Sequence, residues 1–110
     1  MAFRIVPSPT FRVKVPLTVP GAAAAGVVEV EFKHKGREAY GAWWDSIGSR
    51  GDAEVLDEVI TGWTDVIDDK GEPVPYGLEA LALLLDRFPA SGIELLAAYK
   101  KALWEAREKN

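Results

Sequence analysis

Two runs of alternating apolar and polar residues constrain the fold more than any other feature of the sequence. A period of two places the apolar side chains of each run on one face of a β-strand. The apolar members are Phe11, Val13, Val15, Leu17 and Val19 in the first run, and Val28, Val30 and Phe32 in the second. Residues 20–26 have proline or glycine at their ends and no large side chain, so they predict the mobile tip of an antiparallel hairpin.

The same alternation predicts how the two strands pair. Matching the two apolar faces requires odd-numbered residues of the first strand to lie opposite even-numbered residues of the second. We favour the register that sets Lys14 opposite Glu31, because it also brings Val15 opposite Val30. Pro16 has no amide hydrogen to donate to a neighbouring strand, so the first strand is expected at an edge of the sheet.

Four helical patterns follow the hairpin. The second begins with Asp52 as its N-cap and ends at Gly62, the third is stopped by Pro89, and the fourth begins with Ser91 and Glu94 spaced as a capping box. The apolar positions of the four patterns are, in order, Tyr40, Trp43, Trp44 and Ile47; Val55, Leu56, Val59, Ile60 and Trp63; Leu78, Leu81, Leu84, Leu85 and Phe88; and Leu95, Leu96, Tyr99, Leu103 and Ala106. The sequence therefore predicts an α+β fold with an N-terminal antiparallel β-hairpin followed by about four α-helices.

Length and composition fit one compact domain. Of the 110 residues, 48% are hydrophobic, which is enough apolar area for a folded core at this length. We divide the chain into an N-terminal arm (1–10), the β-hairpin (11–35) and a helical part (36–110). Cysteine is absent, and no signal peptide or stretch of about 18 apolar residues is found. We expect a cytoplasmic protein without a membrane partner.

Charge is distributed unevenly along the chain. Residues 1–50 hold seven Lys or Arg against four Asp or Glu, a balance of +3, whereas residues 51–110 hold six against thirteen, a balance of −7. Residues 64–75, called the acidic turn below, carry the acids Asp65, Asp68, Asp69 and Glu72. They fit either a solvated loop or a contact surface for a basic protein partner. Because such a surface repels phosphates, we expect no nucleic-acid partner.

The side chains that could act in catalysis or bind a metal indicate a binding protein rather than an enzyme. His34, the only histidine, continues the even-numbered apolar positions of the second strand, so it is expected at the edge of the core. The acids Asp68, Asp69 and Glu72 lack the alternating ligand positions of a calcium loop. We therefore predict neither an enzyme nor a metal site or cofactor.

The fourth helix has an unusually broad apolar arc. At about 100° per residue its apolar side chains cover roughly 180°, against the ~100° stripe of an ordinary surface helix. The residues that we predict on its contact edge are Ile93, Tyr99, Leu103 and Trp104. Either the helix is central in the monomer, or its Trp104 edge meets a partner protein or another subunit of a homo-oligomer.

Five segments of the chain carry a further pattern, namely residues 28–35 (VEVEFKHK), 54–63 (EVLDEVITGW), 68–75 (DDKGEPVP), 78–81 (LEAL) and 88–90 (FPA). Together they resemble the tail assembly chaperones of long-tailed (siphovirus-type) bacteriophages and prophages. The resemblance continues into the aromatic-bearing last helix, so it covers nearly the whole chain. It rests on Gly, Trp, Asp and Pro positions in a helical context.

The resemblance implies a concrete role. Proteins of this family bind the tape measure protein in the infected cell, keep it soluble, help to recruit tail tube subunits, and are not retained in the virion. They need no cofactor, and some carry a frameshifted extension that engages the tube protein. The alternative that the residues leave open is a small cytosolic protein-binding regulator of the anti-repressor or antitoxin type.

Overall fold

The structure is a computed structural model that describes residues 2–105. Its elements, in chain order, are β1 (Thr10–Leu17), β2 (Gly26–Lys33), α1 (Arg37–Ser46), a 3₁₀ turn (Ile47–Ser49), α2 (Asp52–Asp57), β3 (Ile60–Thr64), α3 (Leu78–Arg87) and α4 (Ser91–Trp104). The three strands form one antiparallel sheet in the order β1-β2-β3. The predicted α+β class, with an N-terminal hairpin and four helices, is confirmed.

The hairpin pairs odd with even residues as predicted, but its register differs by two residues. Val30 lies opposite Val13, and Lys14 lies opposite Glu29, so the predicted pairs of Lys14 with Glu31 and of Val15 with Val30 are wrong. A slip of two residues keeps every side chain on its face, so the apolar alternation cannot distinguish the two registers.

The observed register is favoured by charge on the outer face of the sheet. It sets Arg12 opposite Glu31, and the guanidinium of Arg12 lies 3.8 Å from the carboxylate of Glu31 and 3.3 Å from that of Glu29. β1 lies at an edge of the sheet, as the prediction from Pro16 requires.

The second predicted helix is half helix and half strand. It was expected to run from Asp52 to Gly62, but α2 ends at Asp57 and the chain turns into β3. Residues 59–61 are all β-branched, and as a strand they gain a pairing that a helix could not provide. Ile60 lies opposite Phe32 in the sheet. The N-cap of α2 is Gly51 rather than Asp52.

The inner face of the sheet packs against the helices around Tyr99 of α4. The ring centroid of Tyr99 lies 4.9 Å from that of Phe32, 5.4 Å from that of Trp43 and 5.9 Å from that of Tyr40. The buried apolar residues are Val15, Leu17, Val30, Phe32, Tyr40, Trp43, Val55, Leu56, Val59, Ile60, Leu81, Leu95 and Tyr99.

Leu95 and Leu81 bring α4 and α3 into this same core, since both side chains are almost fully buried. The third predicted helix is confirmed, and α3 ends at Arg87, two residues before Pro89. Burial of such side chains is the main favourable term for folding, at about 25 cal/mol per Å² of apolar area. The core therefore fixes α4 against the sheet and determines which of its side chains remain exposed.

The start of α4 differs from the predicted capping box. Its N-cap is Ala90, and no side chain caps the helix. The hydroxyl of Ser91 donates to the carbonyl oxygen of Phe88 at 2.7 Å, while the carboxylate of Glu94 accepts hydrogen bonds from Thr18. Glu94 thus joins the last helix to the end of the first strand instead of capping its own helix.

Two further segments flank the sheet. His34 follows β2 and is exposed, so its predicted place at the edge of the core is wrong; its backbone N–H donates to the carbonyl oxygen of Pro9 at 2.9 Å. Residues 2–9 form neither helix nor strand, and Phe3 and Ile5 are 94% and 87% exposed. Ala106, predicted on the last helix, lies outside the described residues.

Candidate protein-binding surfaces

The structure separates the four residues that were predicted on the contact edge of α4. Ile93 and Trp104 are 76% and 54% exposed, and Leu103 is half-buried against the core. Tyr99 is fully buried, so its predicted place on a contact surface is wrong. The remaining three residues are candidates for contact with another molecule.

Tyr99 is buried because the core satisfies both parts of its side chain. Its ring packs among aromatic residues, and its hydroxyl donates a 2.8 Å hydrogen bond to the carbonyl oxygen of Lys33 at the end of β2. Burial raises the pKa of Tyr99 to about 12. This residue therefore joins α4 to the sheet.

A continuous exposed face runs along α4. Ile93, Ala97, Lys100 and Trp104 are all exposed and recur at spacings of three or four residues, so they lie on one side of the helix. We call this face the α4 stripe. At 1.5 Å per residue it extends about 16 Å, which is about three helical turns. Its apolar ends and its cationic middle suit contact with another protein.

Aromatic residues of α1 widen the α4 stripe at its C-terminal end. Trp104 meets the ring of Tyr40 edge-on, with centroids 4.7 Å apart, and Tyr40 stacks on Trp44 at 6.0 Å. Trp44 is 42% exposed, and the ammonium nitrogen of Lys100 lies 5.9 Å from the centroid of its ring. Helical geometry predicts that Trp43 and Trp44 point apart, and the structure confirms that only Trp43 is buried. The periodicity of α1 alone could not bring Trp44 beside α4.

A shallow cleft of about 240 Å³ adjoins Trp104. We call it the basic cleft, and its lining residues are His34, Lys35, Gly36, Arg37, Leu103 and Trp104. Within residues 2–105 the ion pairs are formed by Arg12 and Arg50, so neither Lys35 nor Arg37 is neutralised by one. Its positive charge is therefore available to an acidic partner.

One carboxylate lies near enough to the basic cleft to respond to its charge. The pKa of Glu58 is lowered, chiefly by its hydrogen bond to Arg50 and to a smaller extent by the charges of Lys35 and Lys33. Because Arg50 already engages Glu58, this carboxylate does not occupy the cleft. The cluster at residues 33–37 was missed in the sequence because charge was summed over each half of the chain; four basic residues within five positions were the available signal.

The acidic turn folds as a small hairpin. Ile67 pairs with Pro73, and the N–H of Val74 donates to the carbonyl oxygen of Val66 at 2.8 Å. At its tip, one carboxylate oxygen of Asp68 accepts the N–H groups of Lys70 and Glu72 at 2.8 and 3.0 Å. The four acids predicted as a contact surface, Asp65, Asp68, Asp69 and Glu72, are all exposed. The turn is thus an ordered acidic projection.

Two aromatic residues attach the acidic turn to the rest of the fold. The indole N–H of Trp63 donates to the carbonyl oxygen of Val74 at 2.8 Å, and the rings of Trp63 and Tyr76 meet edge-on at 5.1 Å. The hydroxyl of Tyr76 donates to Asp57 at 2.6 Å, and burial raises its pKa above the ordinary value. These contacts connect the turn to α2 and β3.

The acidic turn and the basic cleft lie toward opposite ends of β2. The cleft begins at His34, just past the end of β2. β3 starts beside Phe32 and runs back until Thr64 lies opposite Glu29, and the acidic turn continues from there. Five residues of strand separate Glu29 from His34, which corresponds to about 16 Å.

Two other kinds of site, a metal centre and a membrane-spanning helix, are absent from the part of the chain that the structure describes. Residues 2–105 contain no group of three or more His, Asp or Glu side chains placed to hold a metal ion. Within the same residues, every helix is too short or too polar to cross a bilayer. The surfaces that remain as candidate sites are therefore the α4 stripe, the basic cleft and the acidic turn.

Comparison with known proteins identifies the family. A family model described as phage tail assembly chaperone matches residues 1–110, the whole length of the chain. No curated protein and no solved structure matches it. The match agrees with the resemblance carried by residues 28–35 and 68–75, and it does not support a regulator of the anti-repressor or antitoxin type. The chain is therefore a member of the phage tail assembly chaperone family.

Proposed function

We propose that this protein binds the tape measure protein through the α4 stripe and keeps it soluble while the tail is assembled. The observation that carries the proposal is the exposure of Ile93 and Trp104 on one face of a helix that the core holds in place. Membership of the chaperone family supports the general role. The stripe is the part of the chain that we assign to the client.

The chemistry of the stripe suits a long helical client. A helix docks in a groove through apolar side chains that recur every three or four residues, and Ile93, Ala97 and Trp104 offer apolar contacts at that spacing. Aromatic residues often dominate the binding energy of an interface, so Trp104 and the adjoining Trp44 are the expected anchors. Lys100 supplies a cation between them that favours a client with acidic residues beside its apolar face.

We further propose that this action involves no catalysis and no cofactor. A chaperone of this kind covers apolar surface on its client and releases it when the client assembles, so binding alone performs the task. The tape measure protein is made in the infected cell, and the proposed place of action is accordingly the host cytoplasm. The chaperone is not expected in the finished virion.

Recruitment of tail tube subunits is the second part of the proposed role. We assign no residue to it, since a frameshifted extension supplies the tube contact in some related proteins. Mixing the purified 110-residue chain with tube subunits tests whether this form suffices. Retention of tube protein on the immobilised chain would support a direct contact, and its absence would assign that contact to an extended form.

Co-purification from cells tests whether the tape measure protein is the client. The tagged chain is co-expressed with the tape measure protein of the same phage or prophage, and we expect the two to co-purify. Ile93→Glu should reduce the recovered tape measure protein because it places a charge in a desolvated contact. Leu83→Glu is the matched control, since Leu83 is 47% exposed on α3 and lies outside the stripe. Equal loss with both variants would contradict the assignment to α4.

A further inference from the structure

We propose that the acidic turn of one copy of this chain docks in the basic cleft of a second copy, so that the protein self-associates head to tail. The occupant of the cleft is thus a segment of the chain itself. This self-association does not depend on the identity of the client. It concerns two surfaces that lie on different elements of the fold.

Charge complementarity is the first argument. The acidic turn carries Asp65, Asp68, Asp69 and Glu72 against one base, Lys70, and all five side chains are exposed. The cleft carries Lys35 and Arg37, neither of which forms an ion pair within residues 2–105. Surfaces of opposite charge steer association and set its register. Two copies of the chain therefore attract each other through different faces.

Apolar contact is the second argument. Ile67 is 63% exposed on the acidic turn, and Trp104 is 54% exposed in the wall of the basic cleft. Docking would remove both side chains from water and surround them with the charged residues, an arrangement typical of protein interfaces. The hydrogen bonds of Asp68 already order the tip of the turn, so little backbone entropy is lost on binding.

Within residues 2–105 no ion pair joins the turn to the cleft, since the ion pairs are formed by Arg12 and Arg50. The turn leaves the sheet opposite Glu29 and the cleft begins at His34, about 16 Å away along β2, so docking brings the turn of one copy to the cleft of another. An interface between two different faces is heterologous, and it builds rings or open chains instead of two-fold dimers. Trp104 belongs to both the cleft and the α4 stripe. If the proposed function is correct, the client and the second copy compete for it.

Sedimentation velocity of the purified chain tests the proposal. We expect the wild type to associate with increasing concentration and to dissociate as salt is added, because exposed charges are screened. Two variants reverse one surface each: Lys35→Glu with Arg37→Glu in the cleft, and Asp69→Lys with Glu72→Lys in the turn. Each should weaken association by about tenfold or more. Asp68 is left unchanged because its carboxylate orders the turn.

Mixing the two variants identifies the kind of interface. In an equal mixture the unaltered turn of one variant meets the unaltered cleft of the other, and the two reversed surfaces also carry opposite charges, so association should be restored although neither variant associates alone. A chain that carries all four substitutions has both surfaces reversed and should associate again. Arg4→Glu with Arg87→Glu is the matched control, since both residues are exposed outside the cleft, and it should associate like the wild type. Circular dichroism verifies that every variant is folded.

Three results would overturn the proposal. The wild type could remain a monomer at hundreds of micromolar in low salt, or both single-surface variants could associate as the wild type does. The third concerns nucleic acid: saturable binding of a single-stranded DNA oligonucleotide that Lys35→Glu with Arg37→Glu abolishes, in a chain that stays monomeric, would assign the cleft to DNA. Failure to bind the tape measure protein leaves this test unaffected, because the test uses the purified chain alone.

Discussion

The carboxylate of Glu94 in the first turn of α4 accepts hydrogen bonds from both the backbone N–H and the hydroxyl of Thr18, immediately after β1. The two backbone bonds measure 2.9 and 3.2 Å and the hydroxyl bond 2.7 Å. The residues are 76 positions apart in the chain. This connection ties the helix that carries the α4 stripe to the N-terminal hairpin, so its loss should affect the whole fold.

Glu94→Ala should lower the free energy of unfolding by about 1–2 kcal/mol, because the hydrogen bonds are to a charged group but are exposed to solvent. Urea unfolding measures the effect. Glu79→Ala is the matched control: Glu79 is an exposed acid in the first turn of α3. A double-mutant cycle with Thr18→Val should show coupling between the two residues. Thr18→Val keeps the backbone N–H, so additive effects would mean that the hydroxyl bond contributes nothing to stability.

The three tyrosines should resist ionisation in the folded protein. Burial raises the pKa of Tyr40, Tyr76 and Tyr99, in the last case to about 12 from the ordinary 10.0. A raised pKa in the folded state stabilises the fold fully below pH 10, and this contribution is lost as the pH rises from 10 toward 12. Absorbance titration should therefore show little tyrosinate at pH 10 in native protein and about half in denaturant. Identical titration curves would contradict the burial of these side chains.

Asp68→Ala should loosen the acidic turn while leaving the rest of the protein intact. The substitution removes the acceptor for the N–H groups of Lys70 and Glu72, so both amides should exchange their hydrogens faster. Asp68→Asn retains a carbonyl acceptor and should preserve part of the protection. Hydrogen exchange followed by NMR measures the rates. Unchanged rates in Asp68→Ala would show that other contacts hold the turn.

Deleting two of the four alanines at positions 22–25 should change the melting temperature by no more than a few degrees. Residues 20–25 are all exposed, and their side chains contribute no packing to the core. Thermal unfolding followed by circular dichroism measures the change. A large loss of stability would show that the tip is packed against the fold.

The sequence predicts those parts of the fold whose pattern depends on neighbours in the chain. Alternation located the hairpin, and Pro89 located the end of α3. The prediction from the sequence was wrong at β3, because Ile60 and Trp63 also fit a helical spacing. Their pairing with β2 is what makes this segment a strand. The prediction failed at Glu94 for the same reason, since the partner Thr18 lies at the other end of the chain.

The residues of the candidate surfaces likewise fall into two groups, those that the sequence could predict and those that depend on the fold. Ile93 and Trp104 could be predicted from the breadth of the last helix, and the exposed acids from composition. A helical wheel could not reveal that the core would cover Tyr99 completely, because its partners Phe32 and Trp43 come from other elements. The basic cleft likewise requires Trp104 and Arg37 to be brought together by the fold.

The amount of soluble tape measure protein in cells that co-express it with this chain tests the central claim most directly. We expect the wild type to keep the tape measure protein in the soluble fraction. Trp104→Glu should remain folded, because Trp104 is 54% exposed, and yet lose most of this effect, because a charge would enter a desolvated contact. A tape measure protein that is equally soluble with the wild type, with folded Trp104→Glu and with no chaperone would contradict the account.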